Sequence, residues 1–383
     1  MFQRKRKDLV AVETIATGKP AAPVPAPSPR TEPRVIREAI AQLIGGASLA
    51  EDEAAAAMDE IMSGIATPSQ LGAFLTALRI KGETIDEITG LARAMRAHAV
   101  HVMLAEGVAA VDTCGTGGDG SGTFNVSTAA GLLVASQGQP VAKHGNRAAT
   151  SKCGSADVLE ALGVKLELGP EQVAACITKV GFGFMFAPAY HPAMRHVGPT
   201  RREIGIRTVF NILGPLTNPA GARYQVLGVA DPKLLSLMAA ALQRLGCERA
   251  MVVYGEDGVD ELSLGAPTRV CELRGVERDL REYTISPEEL GLTQRSREEV
   301  RAAVRGGDAT QNAALLRTLL AGQVEGAPAE MVALNAGAAL YVTGRADTLA
   351  GGVRQAQDAL RAGRAATTLD ALVLTSRQLA PQK

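Results

Sequence analysis

Tryptophan is absent and aromatic residues make up only 3% of the chain. Large rings therefore cannot organise the core, which falls mainly to Ala, Leu, Val and Ile, a composition that suits helices covering a sheet. There is no net charge either. Forty basic and forty acidic residues cancel, so no overall field draws the chain to nucleic acid or to an anionic membrane, and any anion site has to be local. Five cysteines, at positions 114, 153, 176, 247 and 271, make neither a disulfide framework nor a paired zinc motif, which points to a reducing cytoplasm. No apolar run approaches the roughly 20 residues of a membrane helix. The basic start Met1 to Lys7 is not followed by the apolar region of a signal peptide, so neither export nor membrane insertion is expected.

The 383 residues are 46% hydrophobic, ample for one large or two ordinary globular domains. Residues 1–33 carry the run Lys19 to Pro29, in which proline alternates with small residues. It is too Pro-rich for helix or sheet and reads as a disordered extension. From Arg34 the pattern becomes helical, with Ile36, Ile40, Leu43 and Ile44 on one face and Gly45-Gly46 as a stop. Ser48 with Glu51, Thr67 with Pro68 and Gln70, and Thr84 with Glu87 then read as N-caps of further helices. A compact helical unit over residues 34–100 follows. Beyond it, Val108 to Val111, Pro140 to Ala142, Phe182 to Phe186, Gln225 to Val229 and Ala250 to Tyr254 read as buried strands alternating with helical spacing. The expected fold class is thus α/β, a small N-terminal helical domain plus a larger domain, residues 101–383, with a mostly parallel central sheet. From Ser296 onward the spacing is helical again, including Ala327 to Val342.

The most informative stretch runs from Asp112 through Gly115-Thr116-Gly117-Gly118-Asp119 to Thr123 and Asn125-Val126-Ser127-Thr128, between a strand and a helix. Its glycines let backbone N–H groups close on an anion without Cβ atoms in the way. The helix start adds unpaired donors and a positive dipole end, and Ser127 and Thr128 add hydroxyls. No Gly-Lys-Ser/Thr closes the loop, so it is neither a Walker loop nor a dinucleotide fingerprint. Asp119 inside it suggests a metal or ribose hydroxyls. The plain alternative is a Gly-rich turn that merely joins strand to helix.

Three further stretches carry chemistry. Lys143-His144-Gly145-Asn146-Arg147-Ala148-Ala149-Thr150-Ser151, continuing to Ser155, gathers cations, hydroxyls and glycine between a strand and a helix. Alone it would be a solvated loop; with the first loop it can clamp one polyphosphate. In Arg201 to Arg207, Arg201 can pair a carboxylate bidentately, although three arginines on a helix are more often a solvated face. Asp260 and Glu261 follow a buried strand and suggest Mg²⁺, which prefers a few carboxylates, waters and phosphate oxygens; a surface acidic turn is the plain alternative. The five histidines match no zinc pattern and receive no catalytic role, and no nucleophile constellation has local support.

In order and spacing these four motifs resemble those of the anthranilate phosphoribosyltransferases, across roughly residues 34–375. The resemblance implies a nucleoside phosphorylase/phosphoribosyltransferase type fold with a cleft between two domains. It also implies a segment near 190–215 returning to the helical part, and a homodimer formed through that part. It assigns phosphoribosyl pyrophosphate (PRPP) to Gly115, Gly118, Asp119, Thr123, Asn125, Val126, Ser127, Thr128 and to Lys143 through Ser151 with Ser155. Anthranilate falls to Gly115, Asn146 and Arg201, and two Mg²⁺ per monomer to Ser127, Asp260 and Glu261. The implied reaction transfers phosphoribosyl to the anthranilate amine and needs no dedicated acid or base, since an aromatic amine is unprotonated at neutral pH. Two rivals stand beside it. A pyrimidine nucleoside phosphorylase of similar fold would not need the acidic pair, and a nucleic-acid-binding relative should carry a basic stripe.

Overall fold

The computed structural model describes residues 34–148, 151–274 and 279–381. The extension expected over residues 1–33 lies outside them, as do Ala149 and Thr150 of the second loop. The described chain opens with α1 (Arg34–Ile44), α2 (Glu51–Met62), α3 (Pro68–Lys81) and α4 (Ile85–Ala97). Thr67 with Gln70 and Thr84 with Glu87 cap α3 and α4 through reciprocal bonds. Glu87 does more than cap. Its buried carboxylate accepts from the N–H groups of Thr84 and Leu49 and from Lys81 Nζ at 2.9 Å, which ties three chain segments together.

The expected cap at Ser48 is displaced. Helix α2 begins two residues later than that cap requires, with Ala50 at the N-cap, because the Glu53 carboxylate takes the Ala50 N–H at 2.8 Å. Ser48 instead accepts a hydrogen bond from Lys81.

The larger part is built on β1 (Val111–Gly115), β2 (Val141–Gly145), β3 (Phe182–Phe186), β4 (Tyr224–Gly228), β5 (Arg249–Gly255), β6 (Thr268–Arg274) and β7 (Asp279–Ile285). Their order is β3-β2-β1-β4-β5-β6-β7, parallel as far as β5 and antiparallel beyond it. Strand β1 starts three residues after the expected Val108 and takes in Asp112, Thr113 and Cys114. Buried partners take up part of that polarity: Asn218 Nδ2 donates to Asp112 Oδ2 at 2.8 Å and Thr113 Oγ1 to the Ser127 carbonyl at 2.9 Å, while Asp112 Oδ1 is left without a partner. The β6–β7 hairpin has no counterpart among the expected strands. Strand β7 is mostly exposed and highly charged, so it carries no buried apolar run to read.

Helices α5 (Val126–Ala135), α6 (Ser155–Ala161) and α7 (Pro170–Val180) follow the first strands. After β3 come the short α8 (Ala187–Tyr190), α9 (Gly198–Ile204) and α10 (Phe210–Leu213), and after β4 comes α11 (Leu234–Arg244). The chain closes with α12 (Arg297–Ala303), α13 (Ala309–Leu320), α14 (Ala327–Val342), α15 (Leu349–Arg361) and α16 (Arg364–Leu379). Alternation along the strands feeds two cores. Val226, Met251, Val253 and Val270 face a cluster with α5 and α14, while Leu227, Val252 and Cys271 face one shared by α11 and the N-terminal helices. Each such side chain contributes about 1.5–3 kcal/mol on burial. Val197, Val209 and Phe210 belong to the second cluster, so the segment around α9 and α10 packs with the N-terminal helices. Among the described residues, no helix is long and apolar enough to cross a membrane.

This topology positions the site. From β1 the chain winds outward through β2 to β3, then returns to place β4 on the other side of β1. The direction reverses between β1 and β4, and the crevice beyond the C-terminal ends of such neighbours is where open α/β sheets take ligands. Gly115 and Gly228 end those two strands side by side.

Candidate active site

At that crevice the backbone of the glycine loop is gripped from two directions. Gly117 N–H donates to Asp260 Oδ2 at 2.7 Å, and the Gly117 carbonyl accepts from Arg207 Nη2 at 2.9 Å. The Asp260 N–H in turn lies 3.4 Å from Asp119 Oδ2. So close an approach explains the strand-end glycines. A Cβ on Gly115 would fall 2.3 Å from Asp260 Oδ2, and one on Gly118 would fall 1.3 Å from Arg207 Nη1. Gly118 also has φ +75°, a conformation only glycine adopts freely.

Three carboxylates crowd this point. Burial and the neighbouring Asp119 push the Asp260 carboxyl up to about 7. Burial, then the Asp260 charge, hold Glu261 well above the usual carboxylate range, with Lys143 and the Ser127 backbone N–H partly relieving it. Ser127, Asp260 and Glu261, the residues expected to hold metal, are therefore neighbours. Among the described residues, no group of three or more His, Cys, Asp and Glu side chains can hold a metal by itself. The donor set nonetheless fits Mg²⁺: hard carboxylate and hydroxyl oxygens, mutually repelling, beside a loop open to phosphate oxygens and water.

Helix α5 begins at this cluster. Its N-cap Asn125 makes no side-chain cap bond, because its amide reaches across to the Cys153 carbonyl at 3.1 Å and so joins the first loop to the second. Thr123 bridges Arg305, and the Phe124 and Gly306 N–H groups bond Val304 and Gly122. Val126 and Thr128 are buried in the first turn of α5. Thr128 Oγ1 has no hydrogen-bond partner.

The second loop divides. Lys143 lies within β2, 2% exposed, and its ammonium donates to the Thr113 carbonyl and to Ser127 Oγ. It supplies positive charge from beneath the site rather than from a loop tip. Arg147 turns outward to pair with Asp157 and Glu160, at 3.0 and 2.7 Å, and lies over Phe186. The Ala148 N–H is taken by Asp157. Ser155, at the start of α6, and Ser151 bond the Asn146 and Cys153 carbonyls, and Gly145 sits where a Cβ would strike Ser155 Oγ at 2.2 Å. His144 and His191 face each other with ring centroids 5.0 Å apart, and Nε2 of each lacks a partner. Burial pushes them down to about 3 and about 4, so this wall is neutral at physiological pH.

Arg201 comes from α9 and is half-buried over the Phe210 ring at 5.3 Å. No carboxylate among the described residues pairs with it, and burial lowers its pKa. It is a half-buried cation without a carboxylate partner, lying over an aromatic face.

Two residues here escaped the sequence reading. Arg207 carried no role of its own, since three arginines on one helix are ordinarily a solvated face; α9 in fact ends at Ile204, and Arg207 lies beyond it. Asn312 of α13 gave no signal at all. Buried, it accepts the Gly307 N–H at 2.7 Å and donates to Asn125 Oδ1 at 3.0 Å, so it orients the amide that links the two loops. Asn312→Asp keeps the acceptor and loses the donor. With the Asn125 bond lost at a cost of about 1–3 kcal/mol, the PRPP KM should rise about tenfold while the anthranilate KM stays put, as steady-state kinetics would show.

The fold and this site define a glycosyl transferase built from a helical bundle and an α/β domain. Residues 37–99 match the family model described as "Glycosyl transferase family, helical bundle domain", and residues 107–366 match "Glycosyl transferase family, a/b domain". An anthranilate phosphoribosyltransferase of Rubrobacter xylanophilus is 52% identical over 346 residues, 90% of this chain and 99% of that relative. The chain belongs to the anthranilate phosphoribosyltransferase family. The crystal structure of that enzyme from Thermus thermophilus superposes with a TM-score of 0.83 at 48% identity, covering 88% of this chain and 99% of that one. The Saccharomyces cerevisiae enzyme in complex with PRPP and Mg has a TM-score of 0.81 at 25% identity, covering 90% and 98%.

Proposed function

We propose that the chain transfers the 5-phosphoribosyl group of PRPP to the amine of anthranilate, giving N-(5-phosphoribosyl)anthranilate and pyrophosphate in tryptophan biosynthesis. The observation that carries this reading is the 2.7 Å bond from Gly117 N–H to Asp260 Oδ2, which brings the acidic pair after β5 onto the phosphate loop after β1. Phosphate-binding donors and metal-binding carboxylates then serve one diphosphate.

Displacing pyrophosphate from ribose C1′ builds negative charge on the leaving group. The loop amides that Asp260 and Gly228 leave free, the α5 N-terminus and Lys143 face that charge from preset positions, which is the main electrostatic contribution such a site makes. Mg²⁺, when held by Asp260, Glu261 and Ser127, supplies further positive charge to the diphosphate. Two ions per monomer are proposed, since Asp260 with Glu261 and Ser127 with the diphosphate offer separate donor sets. Asn146 and Arg201 orient anthranilate. The amine has no proton to lose before attack, and the one it sheds afterwards passes to water or the departing diphosphate, so this reading needs no dedicated base.

Arg201→Ala should raise the anthranilate KM about ten- to a hundredfold, the worth of a charge-assisted bidentate pair, and leave the PRPP KM unchanged. Unchanged anthranilate KM would remove Arg201 from the site. The chain also forms a homodimer through its helical part in this reading, supported by Ile44 and Ile80 standing 71% and 81% exposed there. Its place of action is the cytoplasm, in keeping with five free cysteines among the described residues. The activity itself is tested by the fall in anthranilate fluorescence with PRPP and Mg²⁺. A fall abolished by EDTA or by omitting PRPP is expected; none at all would turn the reading toward nucleoside phosphorolysis.

A further inference from the structure

Arg207 stands between α9 and α10, on the segment that packs with the N-terminal helices, yet its guanidinium reaches the glycine loop of the α/β part. Nη2 donates to the Gly117 carbonyl at 2.9 Å, and Nη1 occupies the space that a Gly118 side chain would need. The side chain is exposed, and among the described residues no carboxylate pairs with it. A guanidinium has five N–H donors. One is used here, and the others lie at the rim of the loop with no protein acceptor.

An arginine committed to one backbone carbonyl, with its remaining donors beside a phosphate loop, has the geometry for a diphosphate contact. The planar fork matches phosphate oxygens two at a time. The opposing grip of Asp260 on the Gly117 N–H fixes the preceding peptide of the same residue, so the position of the fork relative to the loop is set from both sides. We propose that Arg207 is a further substrate-binding residue, contacting the diphosphate of PRPP from the helical side of the cleft while it holds the Gly117–Gly118 turn. This rests on the reading of the glycine loop as the diphosphate subsite. It adds a cation from the helical part to donors that otherwise come from the α/β part, so that diphosphate binding itself draws the two parts together.

The test uses the full chain, Mg²⁺ and inorganic diphosphate as the probe, with titration calorimetry and steady-state kinetics on Arg207→Ala, Arg207→Lys and Ser127→Ala. Arg207→Ala is expected to weaken diphosphate binding and to raise the PRPP KM by about tenfold or more, since hydrogen bonds to charged groups are worth about 1.5–3 kcal/mol. The anthranilate KM should stay within about twofold, and Arg207→Lys should recover only part of the loss, since lysine keeps the charge without the fork. Wild-type diphosphate affinity in Arg207→Ala, with Ser127→Ala impaired, would overturn the role of Arg207 and leave the loop assignment standing. Wild-type affinity in both variants would overturn the loop assignment and the proposal with it. A fall in kcat alone, with both affinities intact, would also refute the diphosphate contact.

Discussion

Asp260→Asn and Glu261→Gln should each lower kcat/KM for PRPP by about a hundredfold or more, the scale of losing one preset electrostatic contact to a developing anion. The Mg²⁺ concentration for half-maximal rate should rise at the same time. In EDTA the same variants should melt higher than the wild type. The reason is the crowding of Asp119, Asp260 and Glu261, whose mutual repulsion and burial raise the last two carboxyls. Without a cation the charges oppose folding; with one they make the site. Each amide variant is close in shape to the acid it replaces, and in Asp260→Asn the side-chain amide would still offer an oxygen to the Gly117 N–H. The gain in stability and the loss of activity therefore arise from one charge, as is common where a site is kept strained for function. Melting curves in EDTA and a Mg²⁺ titration of the initial rate check both halves. Lower melting together with an unaltered Mg²⁺ titration would show that the pair is structural.

How much of this was legible beforehand depended on whether the signal was local. Thr67 with Gln70 and Thr84 with Glu87 cap helices through contacts three residues long, so spacing sufficed. At Ser48 two overlapping acidic frames competed, and Glu53 prevailed through the Ala50 N–H. Strands β3, β4 and β5 announce themselves as apolar runs, whereas the polar residues of β1 and β2 blur where those strands end and β7 hides among charges because most of it is exposed. Glycine loop, lysine, arginine and acidic pair were each visible as motifs. That Asp260 meets Gly117 across 143 positions was not, since the strand order that joins them is a property of the sheet. The same holds for Asn312, 187 positions from Asn125, and for the inward turn of Lys143, which periodicity alone does not distinguish from a loop-tip cation.

Gly228→Ala should be as damaging as loss of a metal-binding carboxylate, although it touches no substrate group. A Cβ at this position would lie 1.5 Å from the Asp260 carbonyl oxygen and 2.3 Å from its carbon. Both atoms are backbone, so no side chain can swing away. Restoring an ordinary contact near 3.4 Å requires the Asp260 peptide or the end of β4 to move by about 2 Å. Gly228 is paired on both sides, to Gly115 and to Val253, and its carbonyl accepts the Thr116 N–H at 2.9 Å, so the strand is the less movable partner. Asp260 should yield and carry its carboxylate away from Gly117. Misplacement of about 1 Å can cost a hundredfold in rate, and overpacking adds about 1–3 kcal/mol of destabilisation. The φ of Gly228 is not in the left-handed region, so the effect is proximity alone. Gly72→Ala, inside α3, makes the control, because a Cβ there meets only Thr200 Cγ2 at 4.0 Å, an ordinary contact; it should keep full activity and melt no lower than the wild type. Wild-type kcat/KM in Gly228→Ala would mean that the reaction does not depend on where Asp260 stands, and the metal assignment would have to move to other oxygens.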